Sequence, residues 1–309
     1  MIYTSSLLVQ TVKQKSAMTT GQMGLSDNDI LAIATRRLKT DIVADILNQG
    51  EEYLEYVDTI PLVSNQSYYR IPDRAIGQVI RHVYLNYGGT RISISKVDDS
   101  DLESFNSTGT TTMPYNFTIE GNYVRFLPSI GTISNSTSMD LYYFMNPNVL
   151  TIESNCRQIV SINPAYTQFT IASTPSNFTP TLGYDFINHI SGNEIINYNQ
   201  ICTSIATNVM VFPTPQTDVS VGDWICLAGQ SPVPNIPELW QDLLVSLTVS
   251  EIQQLKQNTM GIQIATAETK RLTDAIDTIT SQRVISKPDR VIPRSPLNLP
   301  RGGSRMWRF

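Results

Sequence analysis

One long stretch of this chain has no basic residues. No lysine or arginine occurs between Arg157 and Lys256, while Asp185, Glu194, Asp218, Asp223, Glu238, Asp242 and Glu251 all fall there. A sequence-independent nucleic-acid binder needs clustered cations to neutralise phosphates, so this stretch is not such a surface. Charge of either sign is scarce overall, at 16% of 309 residues, well below the usual quarter. Ser, Thr, Asn and 14 Tyr take its place, a polar, uncharged mixture that suits β-structure and large assemblies. Hydrophobic residues reach 41%, which provides a packed core and excludes global disorder.

Residues that carry chemistry are equally sparse. There are two histidines, His82 and His189, and three cysteines, Cys156, Cys202 and Cys226. With no CxxC pair and no His beside a Cys, neither a zinc site nor a disulfide framework is indicated. Buried free thiols in a chain made in a reducing cytosol are the reading that remains. A nucleophile elbow, a phosphate-cradling glycine loop and HExxH are all missing. The acidic run Asp98-Asp99-Ser100-Asp101-Leu102-Glu103 lacks the glycine and ligand series of an EF-hand. It reads as the solvated start of a short helix over 98–105, where acids favour the dipole. No catalytic residue, metal or cofactor is expected. Leu7-Leu8-Val9 is the one apolar run near the start, and no basic residue precedes it. It reads as no signal peptide, and no stretch approaches the ~18 apolar residues of a membrane span.

Patterning divides the chain. Residues 1–25, polar with Gly21 and Gly24, read as a flexible arm. Ser26 then opens a helix, with Asp29 completing a capping-box-like start. Ile30, Ala34, Leu38, Ile42 and Ile46 recur every fourth residue as its apolar stripe. Helical character is expected over 26–60, bent or broken at Gly50.

From Pro61 the period changes to that of strands. Gly88-Gly89 sits between Val79–Tyr87 and Thr90–Ile94, and Gly121-Asn122 between Asn116–Glu120 and Tyr123–Leu127, both hairpin signals. Further strands are expected at Tyr68–Pro72, Asp140–Met145, Gln158–Ile162, Gln168–Ala172, Glu194–Tyr198, Gln200–Ile205, Val209–Phe212 and Asp223–Leu227. Residues 61–231 thus form a β-rich region of two subdomains, barrels or sandwiches, that meet near 148–153. Arg70 and Arg74 flank Pro72-Asp73, and Arg74 is expected to fork onto Asp73 or a neighbouring carboxylate and pin the strand end.

Residues 232–285 return to helices, with Leu239, Leu243 and Leu247 in one row and a last helix over Ile262–Val284. Each stripe needs a partner, so the N-terminal helix packs against the two C-terminal ones. The fold class is α+β: a discontinuous helical bundle with a large inserted all-β region and an extended C-terminal arm. That arm, 286–309, has four prolines and six basic residues against Asp289. Its last 23 residues carry +5, which leaves −10 for the rest of a chain whose net charge is −5. Arg290, Arg294, Arg301, Arg305 and Arg308 suit an acidic partner surface, and Trp307 and Phe309 supply apolar anchors.

Several segments together resemble a known group. Leu25-Ser26-Asp27-Asn28-Asp29-Ile30-Leu31, Glu52-Tyr53, Pro61-Leu62, the stretch Tyr69-Arg70-Ile71-Pro72-Asp73-Arg74-Ala75-Ile76-Gly77 and the run from Val221 to Pro234 resemble head–tail adaptor (connector) proteins of tailed bacteriophages. The resemblance implies a structural virion protein at the head–tail junction, made in the host cytoplasm. It also implies a homo-oligomeric ring, usually twelve-fold, that joins the portal to the tail and surrounds the DNA channel. Its partners would be the portal, through the C-terminal arm, and downstream tail or nozzle proteins. The genome would pass without specific binding, and no membrane is involved. The alternative is a tail or collar protein whose Tyr-, Asn- and Thr-rich β region contacts host glycans. A hydrolase using Asp98, Asp101 or Glu103 is a third option.

Overall fold

A computed structural model describes residues 3–17, 25–49, 54–97, 109–133, 137–190 and 194–284. The short helix expected over 98–105, Gly50 and the arm 286–309 lie outside the described residues.

The first element corrects the sequence reading. Ser5–Lys15, expected within a flexible arm, is a helix, α1. Thr4 caps it by accepting the backbone N–H of Leu7, and Lys13 and Lys15 complement the dipole in its last turn. Leu8, Val9 and Val12 are buried. The Ser5 N–H donates to the Pro232 carbonyl and the Tyr3 N–H to Gln241 Oε1. So short a helix is marginal alone, and its order comes from packing on the C-terminal helices.

The second helix starts as its cap predicts. The Ser26 hydroxyl accepts from the Asp29 N–H while the Asp29 carboxylate accepts from the Ser26 N–H, opening α2, Asp27–Arg37. A π turn over Leu38–Ile42 then leads into α3, Val43–Asn48. The every-fourth-residue stripe explains that turn. Four residues of α-helix overshoot a full turn by about 40°, so Ile46 would drift ~160° from Ile30. Yet Ile30, Ala34, Leu38, Ile42 and Ile46 are all fully buried. The wider π turn takes up one residue, returning about 100° of that drift and keeping the stripe on the core.

The bundle is completed by α4, Glu238–Leu255, and the 26-residue α5, Thr259–Val284. One apolar core joins Leu8 and Val12 of α1, the α2–α3 stripe, Trp240, Leu243, Leu244 and Ile252 of α4, and Ala265 and Ile276 of α5. Both ends of the chain therefore share a core, as the stripes require. Helical character does not persist through residue 60, however. Glu55–Pro61 is a strand, β1, because its β-branched, alternating sequence pairs with Ser138–Met145.

Among the described residues, two seven-stranded sheets make up most of the β region. The first comprises β1, β2 (Tyr68–Arg70), β3 (Ala75–Tyr87), β4 (Thr90–Lys96), β6 (Asn116–Glu120), β7 (Tyr123–Leu127) and β9 (Ser138–Met145), in spatial order β1-β9-β3-β4-β6-β7-β2. A minor pair, β5 (Thr110–Thr111) and β8 (Ser129–Ile130), flanks it. Both expected hairpins are present, and Gly88, Gly89 and Gly121 hold positive φ as such turns demand. All seven strands contribute to one core around Val83, Phe126, Leu141 and Tyr143, so the sheet is curled rather than flat.

The second sheet runs β14-β13-β17-β11-β12-β16-β15. These strands are β11 (Arg157–Ile162), β12 (Gln168–Ile171), β13 (Gly183–Ile187), β14 (Ile195–Ile201), β15 (Ser204–Ala206), β16 (Val209–Val211) and β17 (Trp224–Leu227). They enclose a core rich in aromatic rings, Phe169, Tyr184, Phe186 and Phe212. The expected strands at 194–198 and 200–205 are one continuous strand through residue 201, with Asn199 at φ 51° accommodating a bulge against β13. Between the sheets, β10 (Val149–Leu150) pairs in parallel with β18 (Gln230–Ser231), and the Leu150 N–H donates to Thr35 of α2.

Candidate functional site

The bundle and both sheets converge on one cleft of about 630 Å³. Its lining includes Lys39 of the π turn, Asp58 of β1, Arg74 before β3, Asn148 before β10, Tyr198 of β14 and Gly229 before β18. Pro72 ends the β2 segment, and a turn bonded from the Ala75 N–H to the Pro72 carbonyl projects Arg74 toward the second sheet.

There Arg74 Nη1 donates to Asp185 Oδ2 at 2.9 Å. Asp185 is fully buried on β13. Its Oδ2 also accepts from Asn148 Nδ2 and the Gly229 N–H, and its Oδ1 from the Asn199 N–H, all within 2.8–2.9 Å. Arg74 Nη2 donates to Asn148 Oδ1. Four donors on one carboxylate satisfy a charge that is otherwise costly to bury. The expected ion pair of Arg74 is therefore real, and its partner is the distant Asp185. Asp73 instead pairs with Arg70 at 2.6 Å on the exposed side.

A second chain of groups lies beside it. Tyr198 donates to Asp58 Oδ2 at 2.8 Å and accepts from Tyr143 at 3.4 Å, and Tyr56 meets the Tyr198 ring edge-on. The Arg74 guanidinium lies 5.7 Å from the Tyr198 ring centre. Burial raises the Tyr56 phenol to about 12, with the Asp58 charge adding to it. Burial also raises Tyr143 and Tyr198, the latter reinforced by its hydrogen bond with Tyr143. Burial and, secondarily, Arg74 lower the Lys39 ammonium. These phenols stay protonated at any physiological pH, and the buried Asp185 carboxylate has four donors. The arrangement clamps the second sheet and the β10–β18 link to the first sheet.

Other candidate residues fall elsewhere. His82 lies on β3 against the rings of Tyr84 and Tyr142, with Arg91 stacked 4.2 Å from the Tyr84 ring centre. His189 pairs through Nδ1 with the buried Asp223 at 2.8 Å, in the turn before β17. Cys156, Cys202 and Cys226 are free and buried, as expected. Among the described residues no group of three or more His, Cys, Asp or Glu side chains is placed to hold a metal, and no helix is long and apolar enough to cross a membrane. Asp98, Asp99, Asp101 and Glu103 lie outside the described residues, as do Arg290, Arg294, Arg301, Arg305, Trp307, Arg308 and Phe309. Sequence reasoning missed Asp185, Asn148 and Tyr198. The one available signal was a lone acid inside the apolar run Tyr184-Asp185-Phe186-Ile187.

No curated protein matches the chain. Residues 22–172 match the family model described as SU10 adaptor protein. The matched span runs from α2 through the first sheet into β12 and carries Asp58, Arg74, Tyr143 and Asn148 of the clamp. The chain thus resembles the SU10 adaptor family, head–tail adaptors of tailed phages, and its general role is that of a head–tail adaptor or connector. It is a structural protein of the phage virion, located at the head–tail junction.

Proposed function

We propose that this chain forms a homo-oligomeric ring, twelve-fold as its resemblance implies, that joins the portal to the tail and surrounds the DNA channel. The observation that carries this reading furthest is the segregation of charge. The last 23 residues hold +5, while the rest of the chain holds −10 with no cation between Arg157 and Lys256. A conduit wall without basic groups lets phosphates pass, because each cation there would hold DNA. A body clamped at Arg74–Asp185 keeps the two sheets in fixed relation, which repeated packing around a closed ring requires.

In this reading residues 286–309 dock on the portal or the neighbouring ring. Arg290, Arg294, Arg301, Arg305 and Arg308 pair with acidic groups there, and Trp307 and Phe309 fill apolar pockets. Four prolines reduce the entropy lost when such an arm becomes ordered. Deleting residues 301–309 should leave the melting transition intact and abolish attachment to the neighbouring ring. Normal yields of full particles from the truncated chain would rule out docking by the arm.

A further inference from the structure

Cys156 and Cys226 face each other across two antiparallel strands. The β11–β17 ladder pairs Arg157 with Ile225 and Gln158 with Trp224, and the next step of that register sets Cys156 opposite Cys226. Cys156 continues the strand backbone, with φ −121° and ψ 165°. Directly opposed residues have Cα atoms about 4.5–5.5 Å apart, inside the span of roughly 4.4–6.8 Å that a disulfide bridges. Both side chains lie on one face, buried with Ile187 against Trp224. A surface cleft of about 460 Å³, lined in part by Arg157, Val160, Gly222 and Trp224, reaches Cys156. Cys202 is remote from this pair, with its Sγ bonded to the Ser204 carbonyl in the core of the second sheet.

We propose that Cys156 and Cys226 form an intramolecular disulfide once the protein leaves the reducing cytosol for the oxidising surroundings of a released virion, by exchange with a low-molecular-weight disulfide admitted through this cleft. The Cys156 thiolate attacks one sulfur of the reagent and expels the other half as a thiolate. Cys226, deprotonated in turn, attacks the Cys156 sulfur, closes the S–S bond and expels the second half. Two protein thiols are oxidised, one reagent disulfide is reduced to two thiols, and the protons lost by the cysteines end on those products. Burial, and next the neighbouring Cys156 thiol, raise the Cys226 thiol well above its usual range, so closure quickens as pH rises. The bond would staple β11 to β17 beside Asp185, which pairs with Cys226 in the adjoining ladder. This inference does not depend on ring formation.

The test uses the full chain, purified with reductant and then transferred to oxidised glutathione at mildly alkaline pH. Thiols counted in denaturant should fall from three to one, with peptide mapping linking Cys156 to Cys226 and leaving Cys202 free. Excess dithiothreitol should restore all three. In the Cys226→Ser variant, glutathione should remain on Cys156. Three thiols surviving prolonged treatment of the native chain would overturn the proposal. So would a persistent glutathione adduct on its Cys156, or a bond involving Cys202 or two chains.

Discussion

Arg74 and Asp185, 111 positions apart, meet at 2.9 Å across the seam between the two sheets. Asp185 is sealed from solvent while Arg74 keeps a modest exposure at the cleft. Removing the cation leaves a buried carboxylate without its counter-charge. Arg74→Ala should therefore lower stability by about 3–5 kcal/mol, read from denaturant unfolding. Asp185→Asn should cost less, because it removes the charge that needs compensation. Equal, negligible effects of both substitutions would show that the seam is held by other contacts.

Much of the local structure was written in short motifs. The Ser26/Asp29 box and the Gly88-Gly89 and Gly121-Asn122 turns each specify their element within a few residues. The clamp was legible only by half. Arg74 beside Pro72-Asp73 announced an ion pair, but its partner lies in another sheet, and no local pattern encodes that distance. α1 escaped notice because three buried apolar side chains, Leu8, Val9 and Val12, make a weak stripe until α4 covers them. β1 was absorbed into the preceding helix because only pairing with β9 distinguishes it.

The π turn gives a test by contrast. It behaves as one residue more than an α-helix needs, so deleting the exposed Thr40 should convert it to α-helix and leave Ile42 and Ile46 facing the core. Stability should then change by no more than about 1 kcal/mol. Deleting the equally exposed Ala32, within regular α-helix, rotates the flanking parts of the stripe about 100° apart. It should cost several times more. Thermal melts of the two variants decide, and the reverse order would refute the explanation.

Alkaline pH should loosen the seam. Tyr56 is raised to about 12 in the folded chain, and Tyr143 and Tyr198 are raised as well, whereas unfolded tyrosine titrates near 10. Their contribution is complete below pH ~10 and declines above it, because the unfolded chain sheds these protons first. Ultraviolet titration of tyrosinate should show the cluster silent until unfolding begins. Ionisation of these phenols around pH 10 with the fold intact would contradict this.

The acidic body should ignore DNA. A chain ending at Ser286 lacks the +5 segment and should show no binding to duplex DNA at about 0.15 M salt in fluorescence anisotropy. Salt-sensitive micromolar binding would contradict a lumen that lets the genome pass.

A particle reconstruction of the neck tests the connector reading most directly. The account predicts this chain as a closed ring at the head–tail junction, its acidic body around the channel and residues 286–309 extended onto the portal side. Density placing it as trimers at a distal tail or fibre position would contradict the account.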